Sequence, residues 1–189
     1  MARTDDTIRR VFIAVDIDDE LKHGLAAHLA TALDGNRLPG SATPPGNWHI
    51  TLRFLGKLDQ LGYEVLLAKL GEAELGAPFE LGFGGLGAFP RPARATVLWL
   101  GTADGSEALA DTAFVVEEAV VEAGLMPEER PFHSHLTLSR IRPQADVRDL
   151  LDVVPPFPLR QAVERITVFE SVLGRGPATY VPLETFPLT

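Results

Sequence analysis

The sequence predicts an α+β protein whose two halves are each rich in antiparallel strands, and three observations predict it. Stretches of strand-type alternation are interleaved with stretches of helical apolar spacing along the whole chain. The pattern His-apolar-Thr-Leu occurs twice, at His49-Ile50-Thr51-Leu52 and at His135-Leu136-Thr137-Leu138, a little under half a chain apart. No low-complexity segment or long linker interrupts the 189 residues, so they suit one two-lobed domain spanning 1–189. Outside the tetrapeptides the halves share little sequence, and a duplication is inferred from pattern alone.

The elements follow in order. Arg9 to Ile17 reads as a strand, and Asp18 and Asp19 offer a cap for a helix from about Glu20 to Leu33 that Gly35 ends. The segment from Asn36 to Gly46, rich in glycine, proline and small polar residues, reads as a loop. A strand covers about Asn47 to Leu55 and Gly56 closes it; Asp59 then begins a helix reaching Gly71. Phe79 to Phe89 and Thr96 to Leu100 read as neighbouring strands either side of the Pro90-Arg91-Pro92 loop. Asp104 to Gly124 has the spacing and closing glycine of a long amphipathic helix. The second motif occupies Arg130 to Ile141. A short helix around Gln144 to Val153, the Pro155-Pro156 break, and strands at about Ala162 to Leu173 and Thr179 to Phe186 complete the chain.

Composition narrows the chemistry. With no cysteine, disulfides, thiol nucleophiles and cysteine-ligated zinc or iron–sulfur sites are excluded. The opening residues lack the apolar core of a secretory signal, and no later run approaches the roughly 20 apolar residues of a membrane span. A cytoplasmic location is therefore expected. So is a monomer, because no heptad run or long exposed apolar helix is evident. A net charge of −9 argues against long, sequence-independent nucleic-acid binding, whose affinity comes from neutralising phosphates. A nucleic-acid end or a nucleotide held by a few local arginines stays open.

On a strand, His49 and Thr51 share one face, and so do His135 and Thr137. Two imidazoles with an ordinary pKa of about 6.5 suit an in-line displacement, one acting as general base and the other as general acid. The two threonine hydroxyls can donate to the non-bridging oxygens of a phosphate between the strands, where charge must be stabilised. No metal or other cofactor is required. A single His-x-Thr is most simply a structural feature; two copies, each followed by Leu and flanked by arginine, point to function. A zinc site built from His133, His135 and His49 is the competing active reading, although no Asp or Glu lies within either motif to support it. Parity directs Arg53 towards the same face as His49. Arg140, five residues after His135, falls on the opposite face unless the strand ends or bulges near Ser139, or the side chain curls round the edge. His23 and His28 read as surface positions, and His133 as structural or supporting.

The chain resembles the two-histidine phosphoesterases, and among them the RNA 2′,3′-cyclic phosphodiesterases first described as bacterial 2′-5′ RNA ligases. The resemblance is carried by Arg10-Val-Phe-Ile-Ala-Val-Asp16, the first motif with its Phe54-Leu55-Gly56 tail, Gly85-Leu-Gly-Ala-Phe-Pro90, Val97-Leu-Trp-Leu-Gly101, Arg130 to Arg140, and Ala178-Thr179-Tyr180. It implies a bilobal fold with a pseudo-two-fold axis through a central cleft, and a metal- and ATP-independent opening of a 2′,3′-cyclic phosphate at an RNA 3′ end to a 2′-phosphate. Carried over, His49 would protonate the departing O3′ and His135 would activate water, with the two roles exchangeable. Thr51 and Thr137 would hold phosphate oxygens, and Arg140 would add charge. Phe12 resembles an aromatic near the base-binding end of the cleft, or is a core residue; Arg130 and Phe132 contact a nucleotide or shape the turn. Ser134 stands where a proline is common. A non-catalytic module binding RNA ends in the same cleft is the alternative.

Overall fold

A computed structural model describes residues 9–174 and 176–189; the opening eight residues, read above for a secretory signal, lie outside it. The elements run β1 (Arg9–Asp16), α1 (Asp19–Leu33), β2 (Ser41–Ala42), β3 (His49–Leu58), α2 (Gln60–Glu72), β4 (Phe79–Phe89), β5 (Ala95–Thr102), α3 (Ser106–Glu122), β6 (His135–Ala145), α4 (Arg148–Val153), β7 (Arg160–Val163), β8 (Arg165–Val172) and β9 (Thr179–Pro187). The predicted α+β class holds, and the order of elements differs in the short strand β2 and in the single run expected from about Ala162 to Leu173, which is two strands, β7 and β8.

Apolar spacing explains how the helices lie. In α1, Leu21, Leu25, Leu29 and Leu33 recur every four residues and are all buried. Leu66 and Leu70 of α2, and Leu109, Val116 and Val120 of α3, join them in one core against Val11, Ile13, Val15, Ile50, Leu52, Leu136 and Leu138 of the sheet. Asp59 caps α2 as expected, its carboxylate accepting from the Gly62 amide at 2.8 Å. Because alternate strand residues point to opposite faces, burying this set under the helices turns His49, Thr51, His135 and Thr137 to the other face.

The strands form one path, β7-β4-β5-β6-β3-β1-β8-β9, with antiparallel neighbours and with β2 added beside β6. The two expected sheets are thus the two halves of one sheet. Their junction, β3 against β6, is a single bridge pair, Ile50–Leu136. Those are the residues between the histidine and the threonine of each motif.

Two expectations need correction. Gly56 does not close the first motif strand. β3 continues to Leu58 through a bulge at Leu55, where Val11 faces Gly56 and Phe12 faces Phe54, and Gly56 supplies the φ of 75° that such a kink requires. The segment from 36 to 46 is not all loop: Ser41 and Ala42 pair with Arg140 and Ser139 on the edge of β6 that β3 leaves open. The approach is close enough that a side chain at Gly40 would overlap the Arg140 carbonyl.

Candidate active site

The register reproduces itself in the two halves. Along β1 and β3, Asp16, Ala14, Ile13 and Phe12 face His49, Thr51, Arg53 and Phe54. Along β5 and β6, Gly101, Trp99, Leu98 and Val97 face His135, Thr137, Ser139 and Arg140. Each motif strand carries a bulge at the leucine after its threonine, Leu52 in one and Leu138 in the other. A bulge reverses parity, so beyond it the residues facing the motif side are Phe54 and Arg140. This resolves both arginines. Arg140 stands on the His135 side of β6, and among the described residues no carboxylate lies within ion-pairing distance of it. Arg53 turns under the sheet, contrary to its simple parity. It pairs there with Glu117 of α3 at 2.5 Å and Glu128 at 3.6 Å.

Each imidazole is held by the carbonyl two residues before it. His49 Nδ1 lies 2.8 Å from the Asn47 oxygen, and His135 Nδ1 lies 2.7 Å from the His133 oxygen. A carbonyl only accepts, so both rings carry their proton on Nδ1 when neutral and present Nε2 to the open face. Thr51 Oγ1 sits 3.1 Å from His49 Nε2. The supports behind these carbonyls differ. Asn47 Nδ2 donates to Ala178 O at 2.7 Å, and the Ser134 hydroxyl bonds Thr102 Oγ1 at 2.6 Å.

Both histidines are pushed below the ordinary imidazole pKa, chiefly by burial, which disfavours the cation. The neighbouring charges act in opposite senses. Asp16, the register partner of His49, favours the cation there, against His135 and Lys22. At His135, His133 and Arg140 both oppose the cation.

Aromatic rings wall each imidazole. Around His49 stand Phe12 at 4.8 Å, Tyr180 at 5.1 Å and edge-on, and Phe169 at 6.4 Å between centroids. Around His135 stand Phe89 at 5.0 Å, Trp99 at 6.1 Å and His133 at 6.2 Å. Phe12 is only 1% exposed, so it backs His49, while Phe54, 50% exposed and stacked on Phe12 at 5.9 Å, offers the open ring. Arg130 lies outside this constellation, its guanidinium paired with Glu128 at 2.9 Å and the side chain 83% exposed. That pair holds the Glu128 carboxyl down to about 2. Phe132 packs against the main core. The three histidines of the zinc reading do not converge, and no group of three or more His, Cys, Asp or Glu suited to a metal occurs among the described residues.

Sequence reasoning did not single out Phe54, Phe89, Trp99 and Phe169 as site residues. Phe54 has a signal only once the bulge is known, and Phe169 comes from a strand more than a hundred residues away that pairs with β1.

Residues 42–175, which include both motifs, match the profile of the 2′-5′ RNA ligase superfamily. The chain belongs to that superfamily. Among its relatives, the RNA 2′,3′-cyclic phosphodiesterase of Aeropyrum pernix is 36% identical over 122 residues, covering 63% of this chain and 67% of the relative. The Escherichia coli K12 protein of the same description is 28% identical over 182 residues, covering 96% and 97%. The crystal structure of E. coli LigT complexed with 3′-AMP superposes with a TM-score of 0.82 at 26% identity, covering 97% of this chain and 99% of that one. The superfamily's fold therefore extends over nearly the whole chain.

Proposed function

We propose that this protein is a metal-independent RNA 2′,3′-cyclic phosphodiesterase that opens the cyclic phosphate at an RNA 3′ end to a 2′-phosphate. One observation carries the reading: the Ile50–Leu136 bridge sets the two His-x-Thr pairs on one face in opposite directions. In that arrangement a phosphate between the strands meets an imidazole on each side, as an in-line displacement requires.

Leaving phosphate on O2′ means that water attacks phosphorus as the P–O3′ bond breaks. Burial lowers the pKa of both imidazoles, and what distinguishes them is that His49 has the Asp16 carboxylate as its register partner whereas His135 has Arg140 and His133 beside it, which favours His49 as the group that protonates O3′ and His135 as the base that takes the water proton. Thr51 and Thr137 donate to the non-bridging oxygens, and Arg140 neutralises charge that builds on them. Run backwards with a 5′-hydroxyl in place of water, the same site joins two RNA ends through a 2′-5′ linkage. The two halves work as one domain on RNA in the cytoplasm, as a monomer. In keeping with this, no described helix is long and apolar enough to cross a membrane.

The test is a short RNA ending in a 2′,3′-cyclic phosphate, incubated with EDTA and with wild type, His49→Ala or His135→Ala, followed by identification of the product's phosphate position. A 2′-phosphate made by the wild type and lost in both variants is expected. RNA bound without turnover, or activity abolished by the chelator, would overturn the reading.

A further inference from the structure

The equivalence of the two registers makes one difference stand out. On β1 and β8 the residues beside the first motif are Ala14 and Thr167, with Asp16 two positions on; the corresponding places on β5 and β4 hold Trp99, Gly87 and Gly101. The missing side chains matter. A methyl group at Gly87 would overlap the Trp99 ring, and one at Gly101 would come within 3.2 Å of it. The indole therefore lies down across two glycines, one side on the sheet and the other turned towards the motif face. Phe89 meets it at 5.2 Å, and the exposed ring of His133 stands 5.2 Å from both. Hydrolysis of a cyclic phosphate leaves the three rings on the side of the histidine that handles water with no base to stack on.

We propose that Trp99, Phe89 and His133 form a nucleobase shelf for a second nucleotide, the one whose 5′-oxygen takes the place of water beside His135. The inference rests on the phosphodiesterase reading above. In-line geometry puts the attacking and leaving oxygens on opposite sides of phosphorus, so if O3′ is on the His49 side, any 5′-oxygen is on the His135 side. Aromatic faces bind bases of any identity by stacking, which suits an enzyme that meets varied RNA ends. The shelf would serve the 2′-5′ joining already proposed for this site, and its reversal, on a dinucleotide or a longer strand. In the cleaving direction the 3′-hydroxyl attacks phosphorus, the P–O3′ bond forms and P–O5′ breaks. His49 Nε2 takes the O3′ proton, His135 Nε2 gives one to O5′, and the products are a 2′,3′-cyclic phosphate and a free 5′-hydroxyl. Joining is the reverse, with no co-reactant.

The experiment compares kcat/KM for cleaving a 2′-5′-linked diadenosine with kcat/KM for hydrolysing adenosine 2′,3′-cyclic phosphate, in wild type, His133→Ala and His133→Phe. His133 is exposed, so neither variant removes core packing. The ratio of the two constants should fall about tenfold or more in His133→Ala and recover in His133→Phe, which restores a stacking face. Equal losses on both substrates would mean that the ring merely orients His135, and the proposal fails; it fails too if the ratio does not move, or if wild type hydrolyses the cyclic phosphate but never cleaves the dinucleotide. A wild type inactive on both substrates would instead refute the phosphodiesterase reading, and the shelf with it.

Discussion

Around His49 the neighbouring strands supply Phe12, Phe169, Tyr180 and a carboxylate, Asp16; around His135, on the same backbone register, they supply Phe89 and Trp99, and its own segment adds a second histidine, His133, and Arg140. The bulges after Thr51 and Thr137 fall at equivalent leucines, yet the residue each brings to the motif face is Phe54 in one half and Arg140 in the other. The two-fold frame fixes where groups stand. On the mechanism proposed above, the polarity of the reaction comes from side chains that do not obey the symmetry, and a repeated backbone would in this way serve two different proton transfers.

The most direct way to break the comparison is to remove either imidazole. His49→Ala and His135→Ala should each lower kcat/KM for cyclic phosphate hydrolysis by roughly 10²- to 10⁴-fold, and the double variant should lose little more than the worse single one. If one single variant stays near wild type, the halves are not joint partners in the step. The bridge between the halves is the next target. Ile50→Ala and Leu136→Ala, both fully buried at the junction, should each cost about 2–5 kcal/mol in urea unfolding. Arg140→Leu sharpens the contrast with Phe54→Leu: the loss of a charge facing phosphate should raise KM about tenfold or more, the loss of an open ring by less.

Proton linkage gives a fourth outcome. Both imidazoles are held below their ordinary pKa, so the folded chain resists protons that the unfolded chain accepts near pH 6.5, and stability should decline as the pH falls below about 6.5. By the same sign, the bell of kcat/KM for the free enzyme should be centred below about 6.5. Asp16→Asn should move it further towards acid, because the carboxylate favours the His49 cation. The smallest effect belongs to Arg53→Met, expected to cost about 1 kcal/mol of stability from its pairing with Glu117 and Glu128 while kcat/KM stays within roughly twofold.

Much of this was legible in the sequence because it is local. Period-two alternation gave Phe79–Phe89 as a strand with both ends correct, fourfold leucine spacing gave α1, and the repeated tetrapeptide gave the histidines and threonines. Arg53 shows where local reading stops: parity along a strand assumes no bulge, and the bulge at Leu52 is set by pairing with β1. The bulge proposed near Ser139 is present one residue earlier. The strand content of 36–46 escaped notice because Ser41 and Ala42 have no pattern of their own and pair only where β6 offers an open edge. Phe169 escaped because strand order is a long-range property.

That order has a consequence for how the chain emerges during synthesis. The β7-β4-β5-β6 half is drawn from residues 79–163 without interruption, whereas the half holding the first motif combines residues 9–58 with β8 and β9 at the far end. The later-made half can pair its strands as soon as it clears the ribosome. The earlier-made half waits, with β1 lacking its neighbour β8 and His49 lacking the Phe169 and Tyr180 rings, until β8 and β9 have emerged. The nascent chain thus completes the surroundings of its second motif before those of its first.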